Sequence, residues 1–133
     1  MSKATVAVLR TDSTRVVEDY RKLLELIDYQ NIIDKSQDTL IKLNLSWTKY
    51  FPACSSQPWQ VEGLVRTMVE DGYEKDKLIP VENKTVVTNP IKGAHNNLWM
   101  PILKKYGLGF TPLPGVEWIV YNFKSELLKL NES

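Results

Sequence analysis

The sequence predicts an α/β fold: a mostly parallel, open sheet with helices packed on its faces. Short runs rich in β-branched and aliphatic residues alternate with longer stretches whose apolar residues recur at helical spacing. Clusters of Gly, Pro, Asn and Asp separate these stretches. The resulting βαβαβ order implies parallel strands joined by right-handed crossovers. A chain of 133 residues has the length of one domain, so we interpret residues 1–133 as a single α/β domain.

The first predicted unit is a strand followed by an amphipathic helix. Thr5–Arg10 (TVAVLR) is β-branched and apolar, which is typical of a strand buried on both faces. Asp12 or Ser13 can cap the helix that follows. The residues of its apolar stripe recur at helical spacing: Val16, Tyr20, Leu23, Leu24 and Ile27. A polar return over Asp34–Asp38 leads to the second strand.

The second and third predicted strands flank one helix. Thr39–Leu45 forms the second strand, and the helix runs from about Pro58 to Asp71 and stops at Gly72. Proline suits the first turn of a helix, where its missing N–H costs no hydrogen bond. Leu78–Glu82 (LIPVE) predicts the third strand, and Pro80 indicates an edge position or an irregular start.

The C-terminal third is less regular and predicts extra strands. Lys84–Thr88 (KTVVT) is a short strand-like piece, and Ala94–Tyr106 is predicted to be helical up to Gly107. Pro101 should kink that helix or start a second, shorter one. The remaining elements are two strands, which could form an antiparallel edge, and an amphipathic tail: Leu108–Leu113, Val116–Phe123 and Ser125–Leu130.

Composition excludes several classes of protein. The net charge is +1 and both signs are spread along the chain, so no basic field indicates binding to nucleic acid or to an anionic membrane. No apolar run has the length of a membrane span, and the first residues lack the apolar core of a signal peptide. Cys54 is the only cysteine, which fits a reducing compartment. We therefore expect a cytoplasmic protein with no metal and no cofactor.

A candidate site is predicted where the second strand leads into the next helix. Lys42 and Asn44 interrupt an apolar strand two residues apart, so their side chains point the same way. A strand that ends in a loop before a helix N-terminus is a common ligand-binding geometry in α/β proteins. The third strand ends at the same edge. The predicted ligand-binding residues are Lys42, Asn44, Cys54, Ser55, Ser56, Gln57, Glu82 and Asn83.

Each of these residues also has a purely structural interpretation. Lys42 and Asn44 either lie on a solvent face or offer a charge, a donor and an acceptor to an anion. Cys54 is more simply a loop residue than a nucleophile, because no base is fixed beside it. Ser55–Gln57 can cap the helix and thereby compete with a ligand for its free amides. Glu82 either balances Lys42, acts as a base or is a solvated loop carboxylate.

Several segments together resemble a bacterial and archaeal family known as domain of unknown function 362. They are IKLNLSW, ACSSQPWQVEGLV, LIPVENKTVVT, and KYGLGF followed by GVEWIVY, and the resemblance covers roughly residues 6–130. Its most specific parts are the Lys-x-Asn of Lys42 and Asn44 and the Ser-Gln-Pro that opens the next helix.

The resemblance implies a redox-associated role, since several family members are iron–sulfur-cluster-binding proteins. Family members also carry a second half that nothing here matches, so the chain is similar to their N-terminal half. The cluster-binding members use a cysteine-rich insert, which this chain lacks. Because a four-iron cluster needs four thiolates, Cys54 alone cannot hold one.

Two functions are expected, and the sequence leaves open whether the protein is an enzyme. The first is a domain that binds a small anionic ligand at the carboxyl end of the sheet, through Lys42, Asn44 and the amides at Ser55–Gln57. The alternative is a non-catalytic interaction or oligomerisation module. In that case a homo-oligomer or a second chain covers an exposed sheet edge.

Overall fold

The computed structural model describes residues 4–120, whose centre is a three-stranded parallel sheet. Strand β1 (Thr39–Lys42) pairs with β2 (Leu78–Glu82), and β2 pairs with β3 (Thr111–Pro112). Connecting parallel neighbours requires crossovers, which the intervening helices supply. The predicted open, parallel α/β fold is confirmed. Since β3 is parallel to β2, the expected antiparallel edge is not found among the described residues.

The helices form one row against the sheet. Helix α3 contacts α1 on one side and α5 on the other, and α4 contacts α5. Strand order follows chain order, so right-handed crossovers place the connecting helices on the same side of the sheet. The helices are α1 (Val16–Glu25), α2 (Tyr29–Ile32), α3 (Pro58–Glu70), α4 (Pro90–Asn96) and α5 (Trp99–Tyr106).

Strand alternation determines which side chains enter the core. Ile41 is 7% exposed, whereas its neighbour Leu40 is 68% exposed. Ile41 belongs to the same buried cluster as Leu43 and Leu45, and residues of α3 and α5 complete that cluster. These helix residues include Val61, Val65, Met68, Trp99 and Leu103. The side of β1 that carries Leu40 therefore remains outside the core.

The predicted first strand is wrong for the structure described. Thr5–Arg10 has no regular secondary structure, and the side chains of Val6 and Val8 are 81% and 84% exposed. Strand propensity measures how well a residue fits a pleated, half-buried surface. Among residues 4–120, no neighbouring strand supplies that surface to Thr5–Arg10.

The strand predicted at Lys84–Thr88 is also wrong, because its threonines bond locally. The Thr88 hydroxyl accepts a hydrogen bond from the Thr85 amide at 3.0 Å, and the two hydroxyls lie 2.8 Å apart. The Thr85 hydroxyl also accepts from the Val87 amide at 3.4 Å. Such side-chain bonds give the backbone a local alternative to pairing with another strand. The segment is therefore a loop.

Pro80 differs from its predicted position, whereas Pro101 lies at the start of a second helix, which is one of its two predicted outcomes. Pro80 lies in the central strand and not at an edge, but pairing between β2 and β3 starts only at Val81 and Thr111. Its missing N–H therefore faces a position that β3 does not reach. Pro101 lies in the first turn of α5, where an amide has no helical partner. The break between α4 and α5 falls instead at Leu98, whose φ is 61°.

The C-terminal predictions are only partly covered by the described residues. Strand β3 lies within the predicted strand Leu108–Leu113. Val116–Val120 has no regular secondary structure, and the rest of the predicted strand Val116–Phe123 lies outside the described residues. The predicted tail Ser125–Leu130 also lies outside them.

Asp71 connects the end of α3 to the segment that precedes β1. Its carboxylate accepts hydrogen bonds from the Arg21 guanidinium and from the Tyr29 hydroxyl. Its carbonyl oxygen accepts one from the Lys35 amine at 2.6 Å. Burial alone would raise the pKa of Asp71, but the bonds from Arg21 and Tyr29 outweigh it and lower the pKa below its ordinary value.

We expect the Asp71 carboxylate to make stability depend on pH. Because its pKa is lower in the folded state, its contribution is present above the unfolded pKa of about 3.9 and is lost as the pH falls further. Asp71→Asn should lower the free energy of unfolding by about 1–3 kcal/mol at pH 7. It should also make that free energy depend less on pH in the acid range. Urea unfolding between pH 2 and pH 7, roughly the range in which carboxylates titrate, measures both effects. Asp76→Asn, at an exposed position, is the matched control, and an equal loss in both variants would contradict this role.

Close packing between α1 and α3 depends on Gly63. A Cβ at this position would lie 2.5 Å from Tyr20 Cγ and 2.8 Å from Tyr20 Cβ. Alanine normally stabilises a helix interior by about 1 kcal/mol relative to glycine. Here we expect Gly63→Ala to lower the free energy of unfolding by about 1–3 kcal/mol, because the added methyl group overfills the contact with Tyr20. Urea denaturation measures whether the free energy of unfolding falls or rises. Gly109→Ala, with no neighbour within 4 Å, is the control, and stabilisation by Gly63→Ala would refute the close contact.

Candidate functional site

A charge pair joins the carboxyl ends of β1 and β2. The Lys42 amine lies 2.5 Å from Glu82 Oε1 and also donates to the Leu43 carbonyl at 2.6 Å. The Glu82 side chain is 6% exposed, whereas that of Lys42 is 58% exposed. The Asn83 amide donates to the same carboxylate oxygen at 2.7 Å. Glu82 therefore balances Lys42, as one of the sequence interpretations expected, and an incoming anion would compete with it.

Hydrogen bonds of Asn44 connect the end of β1 to the loop before α3. Its amide donates to the Ser56 hydroxyl and its carbonyl accepts from the Ser56 amide, both at 2.9 Å. Its side-chain amide donates to the Cys54 carbonyl at 3.1 Å. The predicted proximity of Asn44 to the helix start is present, but the contacts hold the loop in place.

The start of α3 is capped by its own side chains. The Gln57 amide donates to Gln60 Oε1 at 2.8 Å in a reciprocal capping arrangement. The Ser55 hydroxyl is buried and accepts from the Ser46 amide at 3.2 Å. Since Ser56 and Gln57 both use their amides internally, two of the three amides predicted to hold an anion already have partners.

The other predicted site residues lie on the surrounding loops. Cys54 is an exposed free cysteine whose amide donates to the Phe51 carbonyl at 3.2 Å. The Asn83 side chain is exposed and accepts from the Lys84 amide at 2.8 Å. A cavity of about 190 Å³ has Lys42 and Ser56 among its lining residues. Lys42 therefore lies near the start of α3, as predicted.

Sequence reasoning missed an apolar surface at the same end of the sheet. The loops that follow β1 and β2 expose five large side chains, which we name the carboxyl-edge surface: Trp47, Tyr50, Phe51, Val86 and Val87. The rings of Trp47 and Phe51 pack edge to face with centroids 6.4 Å apart. A signal for the first of these loops is present in the sequence, because WTKYF places three aromatic residues in a segment that predicts neither a strand nor a helix.

Thr48 holds the two loops together. Its hydroxyl accepts from the Asn89 amide at 2.9 Å, and its carbonyl accepts from the Asn96 side chain at the same distance. Both loops are therefore fixed relative to each other. Outward-pointing charge on them is positive, from exposed Lys49 and Lys84. Residues 46–57 and 83–92 contain no Asp or Glu.

Two further properties of the described residues bear on chemistry. Within residues 4–120, no group of three or more His, Cys, Asp or Glu side chains is arranged to hold a metal ion. None of the helices in that range is long and apolar enough to cross a membrane.

Comparison with known proteins does not assign the chain to a family. No family model, no curated protein and no solved structure matches it. The resemblance to domain of unknown function 362, with the redox association that it implies, therefore stays a prediction, as does the cytoplasmic location.

Proposed function

We propose that this domain is a non-catalytic interaction module whose carboxyl-edge surface binds an apolar segment of another polypeptide chain. The observation that carries the proposal is that Trp47, Tyr50 and Phe51 are exposed on one loop and Val86 and Val87 on a second loop, and that hydrogen bonds join the two loops. Scattered single apolar residues are ordinary on protein surfaces, but a cluster of them is typical of an interaction site.

The composition and fixed geometry of the surface favour protein binding. Tryptophan and tyrosine are enriched among the residues that contribute most to binding energy at interfaces. The bonds of Thr48 to Asn89 and Asn96 hold the two loops in one arrangement before a partner arrives. Such preorganisation reduces the ordering entropy that binding must overcome.

Charge indicates the kind of partner. Lys49 and Lys84 flank the apolar residues, and the loops contain no outward acidic side chain to balance them. Pairing this surface with the same surface of a second copy would bring like charges together. A segment with apolar residues and flanking Asp or Glu is the better complement, so the proposed partner is a different chain.

We expect Phe51→Ser to weaken partner binding by at least about tenfold, because burial of a large apolar side chain contributes about 1.5–3 kcal/mol. Cys54 lies in the same loop and is exposed, so a photo-cross-linker on its thiol can capture the partner. The captured protein is then purified and its affinity measured by calorimetry. Raising the salt concentration should also weaken binding.

Ile32→Ser is the matched control, because Ile32 is 70% exposed but lies in α2, outside the carboxyl-edge surface. It should leave affinity unchanged. An equal effect of the two substitutions, or binding that is insensitive to Phe51→Ser, would reject this surface as the docking site.

A small anionic ligand at Lys42 is the second candidate function. The exposure of the Lys42 side chain and the cavity that it shares with Ser56 favour this candidate. The bound carboxylate of Glu82 and the internal use of the Ser56 and Gln57 amides count against it.

This candidate requires measurable binding of phosphate, sulfate or citrate. We expect Lys42→Ala to reduce the affinity for the anion by about tenfold, because a charge-assisted hydrogen bond is lost. Lys49→Ala is the control and should leave that affinity unchanged. Calorimetric titration of the three anions tests this. Absence of binding to the wild-type chain, or equal binding by the Lys42→Ala variant, would eliminate the anion site.

A further inference from the structure

Within residues 4–120, one edge of strand β1 pairs with no other strand. The amides of Thr39 and Leu43 donate to carbonyls of Lys77 and Val81, so the main-chain groups of the odd-numbered residues point toward β2. Those of Leu40 and Lys42 point the other way. Within residues 4–120 they have no main-chain hydrogen-bond partner. At the next such position, Asn44, the edge is closed by Ser56.

A cavity of about 190 Å³ adjoins this edge beneath α1. Ile41, Lys42 and Leu43 line its strand side, and Tyr20, Gln60 and Leu64 line its helix side. Burial raises the pKa of the Tyr20 phenol, so its side chain is neutral where it borders the cavity. We name this cavity the slot. Its walls are the edge of β1 and the layer of helices, which are also the neighbours of a strand at the edge of the sheet.

Thr5–Arg10 is an apolar segment without a partner in the described fold. Ala4–Arg10 takes part in none of the hydrogen bonds of residues 4–120. Leu9 lines a second cavity together with Tyr20 and Trp59. Because Tyr20 borders both cavities, Leu9 lies close to the slot.

The position of α1 is the one that a strand in this slot would require. A right-handed crossover from a strand beside β1 would place its connecting helix on the same side of the sheet as α3. Helix α1 directly follows Thr5–Arg10 in the chain and already packs against α3.

We propose that Thr5–Arg10 docks on the free edge of β1 as a fourth parallel strand of the sheet. Leu9 already faces the helices, so alternation directs Ala7 to the same side. Val6 and Val8 then lie on the opposite face, beside Leu40. Docking of the segment would cover the exposed edge of β1, which we call the closed form. The structure described above is the open form, in which the segment is not docked.

A single strand fits the slot better than the sheet of a second copy does. Tyr20 of α1 lines the slot beside β1, so α1 already occupies part of the helix layer that a second copy would need for its own helices. The segment Thr5–Arg10 is covalently joined to α1, which borders the slot, so its effective concentration at the slot is high. The closed form leaves the carboxyl-edge surface exposed, so this inference stands or falls independently of the proposed function.

Hydrogen exchange of the wild-type chain is the first test. Docking should slow exchange of the Leu40 and Lys42 amides by at least about tenfold relative to a variant in which Thr5–Arg10 is replaced by a Gly/Ser sequence. Rapid exchange of both amides in the wild-type chain would overturn the proposal, as would slow exchange that survives the replacement.

Cysteine pairs in a Cys54→Ser background test the alternation. Val8→Cys or Val6→Cys combined with Leu40→Cys should oxidise with glutathione disulfide to an intramolecular bond, because these side chains share a face. Ala7→Cys with Leu40→Cys is the matched control on opposite faces. Cross-linking that is equal in the control, or that yields dimers at low protein concentration, would overturn docking by the chain's own segment.

Discussion

The parallel pairing of β1 with β2 is the constraint on which the rest of the structure depends. The register sets Lys42 opposite Val81, so Glu82 follows within reach of the Lys42 amine. Parallel neighbours cannot be joined by a tight turn. The chain therefore crosses over through α3, and the loop that opens this helix lies at the same end of the sheet. One register thus produces both the charge pair and the loop beside it.

The sequence alone predicted the structure correctly where local sequence signals and tertiary packing favour the same element. Pro58 begins α3, as predicted, and Gly72 and Gly107 end their helices with φ values of 88° and 77°. The strand–loop–helix order predicted that Lys42 and Asn44 lie near the helix start, and both are close to Ser56. These features depend on residues close together in the chain or on the carboxyl ends of neighbouring parallel strands.

Prediction failed where the outcome depends on distant partners or on competing local bonds. Thr5–Arg10 has the composition of a buried strand, but composition does not reveal whether a neighbour pairs with it. At Lys84–Thr88 the two threonine hydroxyls form a local network that hydrophobic patterning does not detect. The carboxyl-edge surface depends on bonds that Thr48 accepts from residues 41 and 48 positions away. No periodicity encodes such contacts.

Ser56 has a consequence for how movement can spread through the molecule. It bonds to Asn44 at the end of β1, and its carbonyl accepts the indole N–H of buried Trp99 at 2.7 Å. The end of β1, the loop before α3 and the first turn of α5 therefore meet at one residue. A shift of α5 would therefore strain the bond between Trp99 and Ser56, which lies in the same loop as Phe51 and Cys54. Ser56 thus offers a mechanical link between the far helix and this loop.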